Sequence, residues 1–597
     1  MTILTLTTKI MRHSLAMLTH FLKTTYTLQI CKQLLIFFTI CTTLALIISC
    51  DTITKNNNTD IEEATLPNKK VYVAFAGGGW RAHTGHSAWV ISLLNKGESD
   101  LHKAFSNVGA IGSNSGGSWF NTMLMYSDTF ASDIQDSTAI KTWGTTGWLG
   151  QQRALFNKGT CSSKDWWEYF PCIYKSIGGA AGDAWYWDKI VEDIVYKDYP
   201  LHKNGINFTL NDPHLDWAKD KPLLLAASLL KSNVVLNRRH GDGGWDHRYY
   251  RACLAPSEPH VFGTDTGSCS GHAAPYVSPV TFSSIPSSSG YTAIPFLSAT
   301  HAGTSSDQFN LGYSEDWAQD KHNAPVRYDS IKNPLNHSQV PVMIAAASSS
   351  AAGGFLAMES VAKEVPVAGK LPWNFAYEMS NEALSFQLKN NTVTFVDATP
   401  MNIDQLASNK VVRIADGGPV DNTGVAQLVS FLQKNGKGDN FNIVAFDNVE
   451  TPFQTTTQKT PVGVDIANLF GQGLKNGAYC VDIGTELCVD VPNIQIFKSE
   501  ALETAEAVWP TSVDNLYKSI LYTPYSVTTK ANSNYGIEGK KTGTLHVFTC
   551  FWKNASVAPF DDADFDIYQN MFDFINSELN KDGGVGLDYL KKAMGIK

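Results

Sequence analysis

Charged side chains are scarce in this sequence. Asp, Glu, Lys and Arg make up 17% of its 597 residues, against about 25% in an average globular protein. The net charge is −9 at neutral pH, and no segment is rich in Lys or Arg. Nucleic acid is therefore excluded as a partner, because its binding needs a basic patch, and an anionic membrane surface would repel the protein.

Short metal-binding signatures are also absent. None of the 10 cysteines stands in Cys-x-x-Cys spacing, no histidine belongs to an H-E-x-x-H motif, and no EF-hand loop is present. We therefore expect neither a metal nor another cofactor.

Residues 1–49 are predicted to target the chain rather than to fold with it. They hold four basic side chains and no acidic one, so the net charge of the rest is −13. Residues 34–49 form an uncharged, mainly apolar run of 16 residues that follows Lys32. A transmembrane helix needs about 20 residues, and a basic segment followed by an apolar one is typical of a secretory signal. The protein is therefore expected to be exported.

Three fates of this segment stay open. The ending IISC (47–50) resembles a bacterial lipobox, in which Cys50 becomes the lipidated first residue and anchors the mature protein to a membrane. A signal-anchor helix with an incidental cysteine is the second alternative, and plain cleavage with secretion is the third. Residues 50–68 are polar and are predicted to be a tether.

The later cysteines are arranged in close pairs. Such spacing favours local disulfides in an exported protein, and buried free thiols are the alternative. The pairs are Cys161 with Cys172, Cys253 with Cys269, and Cys480 with Cys488.

Apolar runs alternate with amphipathic segments from residue 70 onward. We interpret five runs as buried strands, at 71–76, 107–113, 340–348, 411–415 and 441–447. Buried strands that alternate with helices predict one α/β domain with a layered sheet over 69–597. Residues 130–335 are rich in Trp, Gly, Ser and His, and we expect an insertion or cap over one end of the sheet. A separate second domain is the alternative.

A glycine run follows the first of these strands. In the segment 76–81, AGGGWR, three glycines leave backbone N–H groups unobstructed, and the start of a helix adds positive potential. The segment fits neither the P-loop nor the dinucleotide-binding pattern. We interpret it as a cradle for an anion or oxyanion, with a purely structural turn as the alternative.

The segment 112–119, GSNSGGSW, also lies between an apolar run and an expected helix. A tight strand–turn–helix presents one hydroxyl at its apex and needs small neighbours, and Ser115 is that hydroxyl. Ser113 takes the place of the first glycine of G-x-S-x-G, and Gly117 keeps the last. A plain loop is the alternative. A rival serine segment, 345–354, is interpreted as a wall of small residues beside the pocket.

Asp416 begins an Asp-Gly-Gly triplet between the strand 411–415 and an expected helix. A carboxylate at a strand end, with glycines that permit close approach, is suited to act as general base to a serine in a dry site. The triplets at Asp242 and Asp582 lack this strand-to-helix setting.

The three motifs, in this order, resemble those of the patatin and cytosolic phospholipase A2 superfamily of Ser–Asp lipid acyl hydrolases. SNSGGSW, DGG and NIVAFDN (442–448) are most similar to the branch that contains fungal phospholipase B and cytosolic phospholipase A2. The similarity covers about 75–125 and 405–450. It implies a three-layer α/β sandwich with a central mixed, mainly parallel sheet and a large cap or insertion.

The resemblance also implies a role for each motif. Ser115 would be the nucleophile and Asp416 its base. Gly78 and Gly79 would donate to the oxyanion, and Arg81 would bind a substrate phosphate. The substrate would be a carboxylic ester of a phospholipid or lysophospholipid at a membrane surface, cleaved through an acyl-enzyme.

Alternatives accompany this assignment. His83 or His86 could complete a Ser–His–Asp triad, although both follow the glycine loop on its helix, which favours a packing or hydrogen-bonding role. The aromatic residues of 143–186 are either a membrane-facing surface or core. The protein is otherwise a general esterase, a glycolipid acyl hydrolase, or a catalytically inactive lipid-binding surface lipoprotein.

Overall fold

A 12-stranded mixed sheet is the centre of the fold in our computed structural model. The described residues do not include the predicted targeting segment 1–49, Cys50 or the predicted tether 50–68. The structure describes residues 71–97, 100–159, 161, 166–179, 187–203, 205–230, 259–262, 265–268, 277–287, 290–293, 309–310, 340–351, 375–379, 411–473, 478–482, 486–490, 493–514, 517–532 and 535–596.

Strands and helices alternate along much of this part of the chain. The strands are β1 (Val71–Phe75), β2 (Val108–Ser113), β3 (His202–Lys203), β4 (Ile206–Asn207), β5 (Leu223–Leu230), β6 (Pro259–Phe262), β7 (Asp265–Ser268), β8 (Val277–Ser287), β9 (Gly290–Ala293), β10 (Phe309–Asn310), β11 (Phe375–Met379), β12 (Val411–Asp416), β13 (Phe441–Val449), β14 (Ala478–Asp482), β15 (Glu486–Asp490), β16 (Trp509–Asp514), β17 (Lys518–Thr528) and β18 (Thr542–Trp552). The α-helices are α1 (Gly79–Ser92), α2 (Leu101–Ala104), α3 (Ser115–Tyr126), α4 (Asp128–Gln135), α5 (Ala139–Thr142), α6 (Trp148–Phe156), α7 (Trp166–Ser176), α8 (Trp187–Ile190), α9 (Val342–Ser349), α10 (Gly418–Asp421), α11 (Val425–Lys434), α12 (Val464–Leu469), α13 (Glu500–Thr504), α14 (Asp562–Leu579) and α15 (Gly586–Ala593).

Parallel strands form the middle of the sheet. Their spatial order is β5-β2-β1-β13-β18, and each neighbouring pair in this set is parallel. Every residue of β1 and β2 is buried, as expected for strands covered on both faces. Antiparallel strands extend the sheet beyond β5 and beyond β18. The predicted α/β fold with a central mixed sheet, mainly parallel at its core, is therefore confirmed.

Helices cover both faces of this sheet. Val71, Val73 and Phe75 of β1 belong to one hydrophobic cluster, which includes apolar residues of α1 and α3. Tyr72 and Ala74 point to the opposite face and belong to a second cluster, with residues of α11 and α12. Alternate side chains of one strand thus enter two different cores, which gives three layers.

Strand β5 has two edges. Its whole length pairs with β8 along one edge, and the other edge is shared by β2 and β12, which run in opposite directions. On the shared edge, β2 pairs in parallel as far as Ser113, which is opposite Leu225. β12 pairs in the antiparallel sense as far as Asp416, which is opposite Ala227. Because only Ala226 separates these positions, the turn after β2 and the turn after β12 meet.

Two interpretations of the sequence need correction. The interpretation of 340–348 as a strand is wrong, because Val342–Ser349 is helix α9. All its residues are buried, and a helix buried on every side has the same apolar pattern as a buried strand. The interpretation of 130–335 as an insertion or cap does not hold for β5, β8 and β9, which pair as strands of the central sheet.

The aromatic residues near the start of that region are core where their side chains are described. Trp143, Trp148, Tyr169 and Phe170 are each at most 3% exposed. The core alternative is confirmed for these residues. Within the part of the chain that the structure describes, none of the helices combines the length and the apolar character needed to cross a membrane.

The cysteine pairs differ in outcome. Cys161 and Cys172 form a disulfide, which confirms the first predicted pair. Cys480 and Cys488 occupy opposite positions of the hairpin β14–β15. The pair Cys253 and Cys269 lies outside the described residues.

Candidate active site

The loop after β1 presents two unpaired backbone N–H groups. Gly78 and Gly79 have φ values of 125° and 57°, which glycine adopts without strain. The flanking N–H groups, of Gly77 and Trp80, donate to backbone carbonyls at 2.7 and 2.9 Å. The N–H groups of Gly78 and Gly79, which lie between Gly77 and Trp80, donate to no acceptor among the described residues. The two groups that the sequence assigns to the oxyanion are thus available to a ligand.

Ser115 lies in a strained turn at the end of β2. Its φ is 48°, in the left-handed region, which costs a non-glycine residue about 1 kcal/mol or more. The next residue must be small, because a Cβ on Gly116 would lie only 2.1 Å from the carbonyl oxygen of Gly79. The serine turn and the glycine loop are therefore in direct backbone contact.

Ser113 occupies the position where the G-x-S-x-G pattern has glycine. It is not among the described residues with positive φ, so the turn has no need of glycine there. Its hydroxyl accepts hydrogen bonds from Asn121 Nδ2 at 3.2 Å and from the Ser118 hydroxyl at 3.3 Å. Ser113 thus anchors the first turns of α3 instead of disturbing the elbow.

The rival serine segment holds the turn in place. The N–H of Ser115 donates to Ser349 Oγ at 3.1 Å, and the Ser349 hydroxyl donates to the Ala226 carbonyl at 2.6 Å. Ser349 is the last residue of α9, so the small-residue segment lies beside Ser115. The Ser349 hydroxyl also occupies the Ser115 N–H, whereas the N–H groups of Gly78 and Gly79 have no such partner among the described residues.

Asp416 lies beside the Ser115 side chain, which is one of the groups that lower the pKa of its carboxyl. Asp416 Oδ1 accepts the Gly418 N–H at 2.6 Å and Asn114 Nδ2 at 3.2 Å. The pKa of Asp416 is raised to about 6, and burial is the largest cause of this rise. The Gly418 N–H and the side chains of Asn114 and Ser115 lower the pKa, and the charge of Asp465 raises it. A carboxylate with this pKa is ionised at neutral pH and is basic enough to accept a proton.

Arg81 lies beside the glycine loop, with two of its nitrogens already bonded. Nε donates to the Asn448 carbonyl and Nη1 to the Ala555 carbonyl, both at 2.9 Å. A Cβ on Gly78 would lie 3.0 Å from Nη2, so this third nitrogen adjoins the loop. The guanidinium therefore ties the end of β13 to the segment that follows β18, and the phosphate contact stays a prediction.

Neither histidine of α1 is placed to act as base. Nε2 of His86 lies 2.7 Å from the Ala76 carbonyl, and its Nδ1 lies 3.1 Å from the Asn448 amide. The His83 ring is fully buried and stacks on Trp148 with a centroid separation of 3.6 Å. Burial lowers the pKa of His86 to about 4 and that of His83 well below its usual range. The packing and hydrogen-bonding roles are confirmed.

Further polar residues surround the dyad that the motifs do not mark. Asn114 Nδ2 also donates to Asn422 Oδ1 at 2.8 Å, and Asn422 Nδ2 donates to Asp465 Oδ2 at 2.5 Å. Of these polar residues, only Asn114 could have been suspected from the sequence, because it stands next to Ser115. Among the residues that the structure describes, no group of three His, Cys, Asp or Glu side chains is arranged to hold a metal ion.

Comparison with solved structures gives human GIVD cytosolic phospholipase A2, with a TM-score of 0.35 and 12% sequence identity. The match covers 88% of this chain and 63% of that chain, so this chain spans less than two thirds of its length. No family model and no curated protein sequence matches. A TM-score this low supports no conclusion about this chain, and the function is argued below from the geometry of the site.

We expect Gly116→Ala to abolish the reactivity of Ser115. The added methyl group would lie 2.1 Å from the Gly79 carbonyl oxygen, so the serine turn and the glycine loop must move apart. Labelling by a fluorophosphonate, which needs an activated serine, should fall by about 100-fold. Gly436→Ala is the control, since it adds backbone strain at a φ of 67° with no atom within 4 Å. Equal labelling of both variants would contradict the close approach.

The labelling rate of the wild type should fall as the pH drops through about 6. A carboxyl that acts as base to Ser115 must be ionised, and burial raises the pKa of Asp416, the predicted base, to about 6. The rate is therefore highest above this pH and is lost below it. Stopped-flow labelling across the range gives the profile, and an inflection that persisted in Asp416→Asn would assign it to another group.

Proposed function

We propose that this chain hydrolyses carboxylic esters of phospholipids or lysophospholipids, as a serine hydrolase of the phospholipase A2/B or lysophospholipase type. One observation carries the proposal. Ser115, in a strained turn, lies beside the buried Asp416 carboxylate and acts on its pKa, and the unpaired N–H groups of Gly78 and Gly79 lie on a loop in contact with that turn. Acyl transfer needs these three parts, namely a nucleophile, a base and donors for the oxyanion.

The reaction follows from these positions. Asp416 accepts the proton of Ser115 as Oγ bonds to the ester carbonyl carbon. The N–H groups of Gly78 and Gly79 hold the carbonyl oxygen as it becomes negative. The ester C–O bond then breaks, and the proton passes from Asp416 to the leaving alcohol. Water then gives a proton to Asp416 and attacks the acyl carbon. The bond between that carbon and Ser115 Oγ breaks, the fatty acid leaves, and the proton passes from Asp416 to Oγ, which restores Ser115.

The lipid class of the substrate is supported by the motif resemblance and by Arg81. Its Nη2 adjoins the glycine loop and has no hydrogen-bond partner within the described part of the chain. A planar guanidinium nitrogen in this position suits a phosphate oxygen. Export by residues 1–49, with lipid attachment at Cys50 as one alternative, would place the site at a membrane surface and is part of the proposal.

Ser115→Ala and Asp416→Asn should each lower ester hydrolysis by about 10⁴-fold or more, because nucleophile and base act as a unit. Mass spectrometry of the products from a mixed-chain phosphatidylcholine and its lyso form measures this. Asp421→Asn is the matched control. Asp421 is 2% exposed and burial raises its pKa to about 6, but its oxygens accept from Thr423 and Gln427. This variant should keep activity.

The outcomes separate the candidate functions. Fatty acid released by the wild type and not by the dyad variants supports the proposal, and the chain released names the position cleaved. Cleavage of simple esters or glycolipids alone would favour a general esterase or a glycolipid acyl hydrolase. A wild type that neither hydrolyses esters nor reacts with a fluorophosphonate would be an inactive lipid-binding surface lipoprotein.

Arg81→Ala should reduce hydrolysis of phospholipids at least about tenfold more than hydrolysis of an uncharged ester, since a hydrogen bond to a charged group is lost only with phosphate. Because Arg81 also holds the Asn448 and Ala555 carbonyls, a loss shared by both substrates is expected as well. The ratio of the two kcat/KM values isolates the phosphate contact. Equal losses on both substrates would show that Arg81 is a structural anchor only.

A further inference from the structure

We propose that Asn114, the residue before the nucleophile, is a positioning residue that holds the Asp416 carboxylate oriented and ionised beside Ser115. The inference rests on the proposed hydrolase function. It adds to the Ser–Asp dyad a residue that the three motifs leave without a role.

The Asn114 side chain is fully buried, and both hydrogens of its amide are bonded. Nδ2 donates to Asp416 Oδ1 at 3.2 Å and to Asn422 Oδ1 at 2.8 Å. The Ser349 hydroxyl lies 3.3 Å from Oδ1, but its one proton is shared with the closer Ala226 carbonyl at 2.6 Å. The two bonds from Nδ2 therefore set the orientation of this amide.

The direction of the amide is set from outside the dyad. Asp465 Oδ2 accepts from Asn422 Nδ2 at 2.5 Å. Asn422 must therefore turn its NH₂ group to Asp465 and its oxygen to Asn114. Asn114 in turn must direct its own NH₂ group to that oxygen and to Asp416. Donors thus point at both carboxylates.

The position of Asn114 in the chain argues against a purely local role. It immediately precedes α3, where asparagine commonly caps the first turn by accepting a backbone N–H. The Asn114 side chain makes no such bond. It gives up the capping bond and reaches instead to Asp416, which lies 302 residues further along the chain.

The bond from Asn114 acts on the basicity of Asp416. A hydrogen bond to the charged form of a carboxyl favours that form, and the Asn114 bond lowers the pKa of Asp416. Burial and the charge of Asp465 act in the opposite direction, and the Gly418 N–H and Ser115 hydroxyl are the remaining donors. Without Asn114, one of the bonds that lower the pKa of Asp416 is lost, while burial and the Asp465 charge still raise it. The Asp416 carboxyl therefore stays protonated to a higher pH.

The test is Asn114→Leu, which keeps the shape of the side chain and removes its donors. We expect kcat on an ester substrate to fall by about 10- to 100-fold with KM nearly unchanged. The acidic limb of the kcat/KM profile should move to a higher pH by about one unit, so that the loss is greater at acidic than at alkaline pH.

Asn121→Leu is the matched control. Asn121 is equally buried on α3, the helix that Asn114 immediately precedes, and its Nδ2 donates to Ser113 Oγ at 3.2 Å instead of to Asp416. We expect its acidic limb to stay where the wild type has it. A limb that moved equally in both variants would overturn the inference, because it would reflect general loosening of α3.

A second variant, Asn114→Asp, keeps the shape and places a carboxyl beside Asp416. Repulsion between the two should move the acidic limb to a still higher pH. A folded variant of either kind whose limb coincides with that of the wild type would overturn the inference. If the wild type itself neither reacts with a fluorophosphonate nor hydrolyses esters, the proposed function fails, and this inference fails with it. A reactive wild type with unchanged variants overturns the inference alone.

Discussion

The candidate site depends on the shared edge of β5. Two strands of opposite direction end against this edge with only Ala226 between their last partners. At about 3.3 Å per residue, the strand ends are within about 7 Å of each other. Backbone pairing, rather than contact between side chains, therefore brings Ser115 and Asp416 together. A slip of one residue in either pairing would turn the side chains of that strand to the other face and separate the pair.

Burial and hydrogen bonding act against each other at this meeting point. A carboxylate alone in a dry site would be protonated at neutral pH, and one with too many donors would be a poor base. Asp416 lies between these limits, because burial raises its pKa and three donors lower it. The Ser115 side chain is itself one of the groups that lower the pKa of this carboxylate. The histidines of α1 are fixed to the backbone or stacked in the core.

The site residues that the sequence could predict are those whose neighbours in the sequence form a recognisable pattern. Gly78, Ser115 and Asp416 each stand in a strand–turn–helix pattern, and the strands before them alternate or run apolar over a recognisable length. The helix α9 could not be told from a strand, because every side of it is buried. The roles of Ser349 and Asn114 depend on contacts with residues 234 and 302 positions away. No local pattern carries such information, and the place of β5 in the sheet is equally a property of distant pairing.

The glycine loop has its outer support at the far end of the chain. The Val557 carbonyl accepts the Trp80 N–H, and the Ala555 carbonyl accepts the guanidinium of Arg81, 474 residues earlier. A ribosome adds about 5–20 residues per second, so on the order of 25–95 s pass between the synthesis of the glycine loop and that of the residues that support it. Throughout that interval Ser115 stands beside a glycine loop that lacks this support. The candidate site can therefore be complete only after residue 557 has been synthesised.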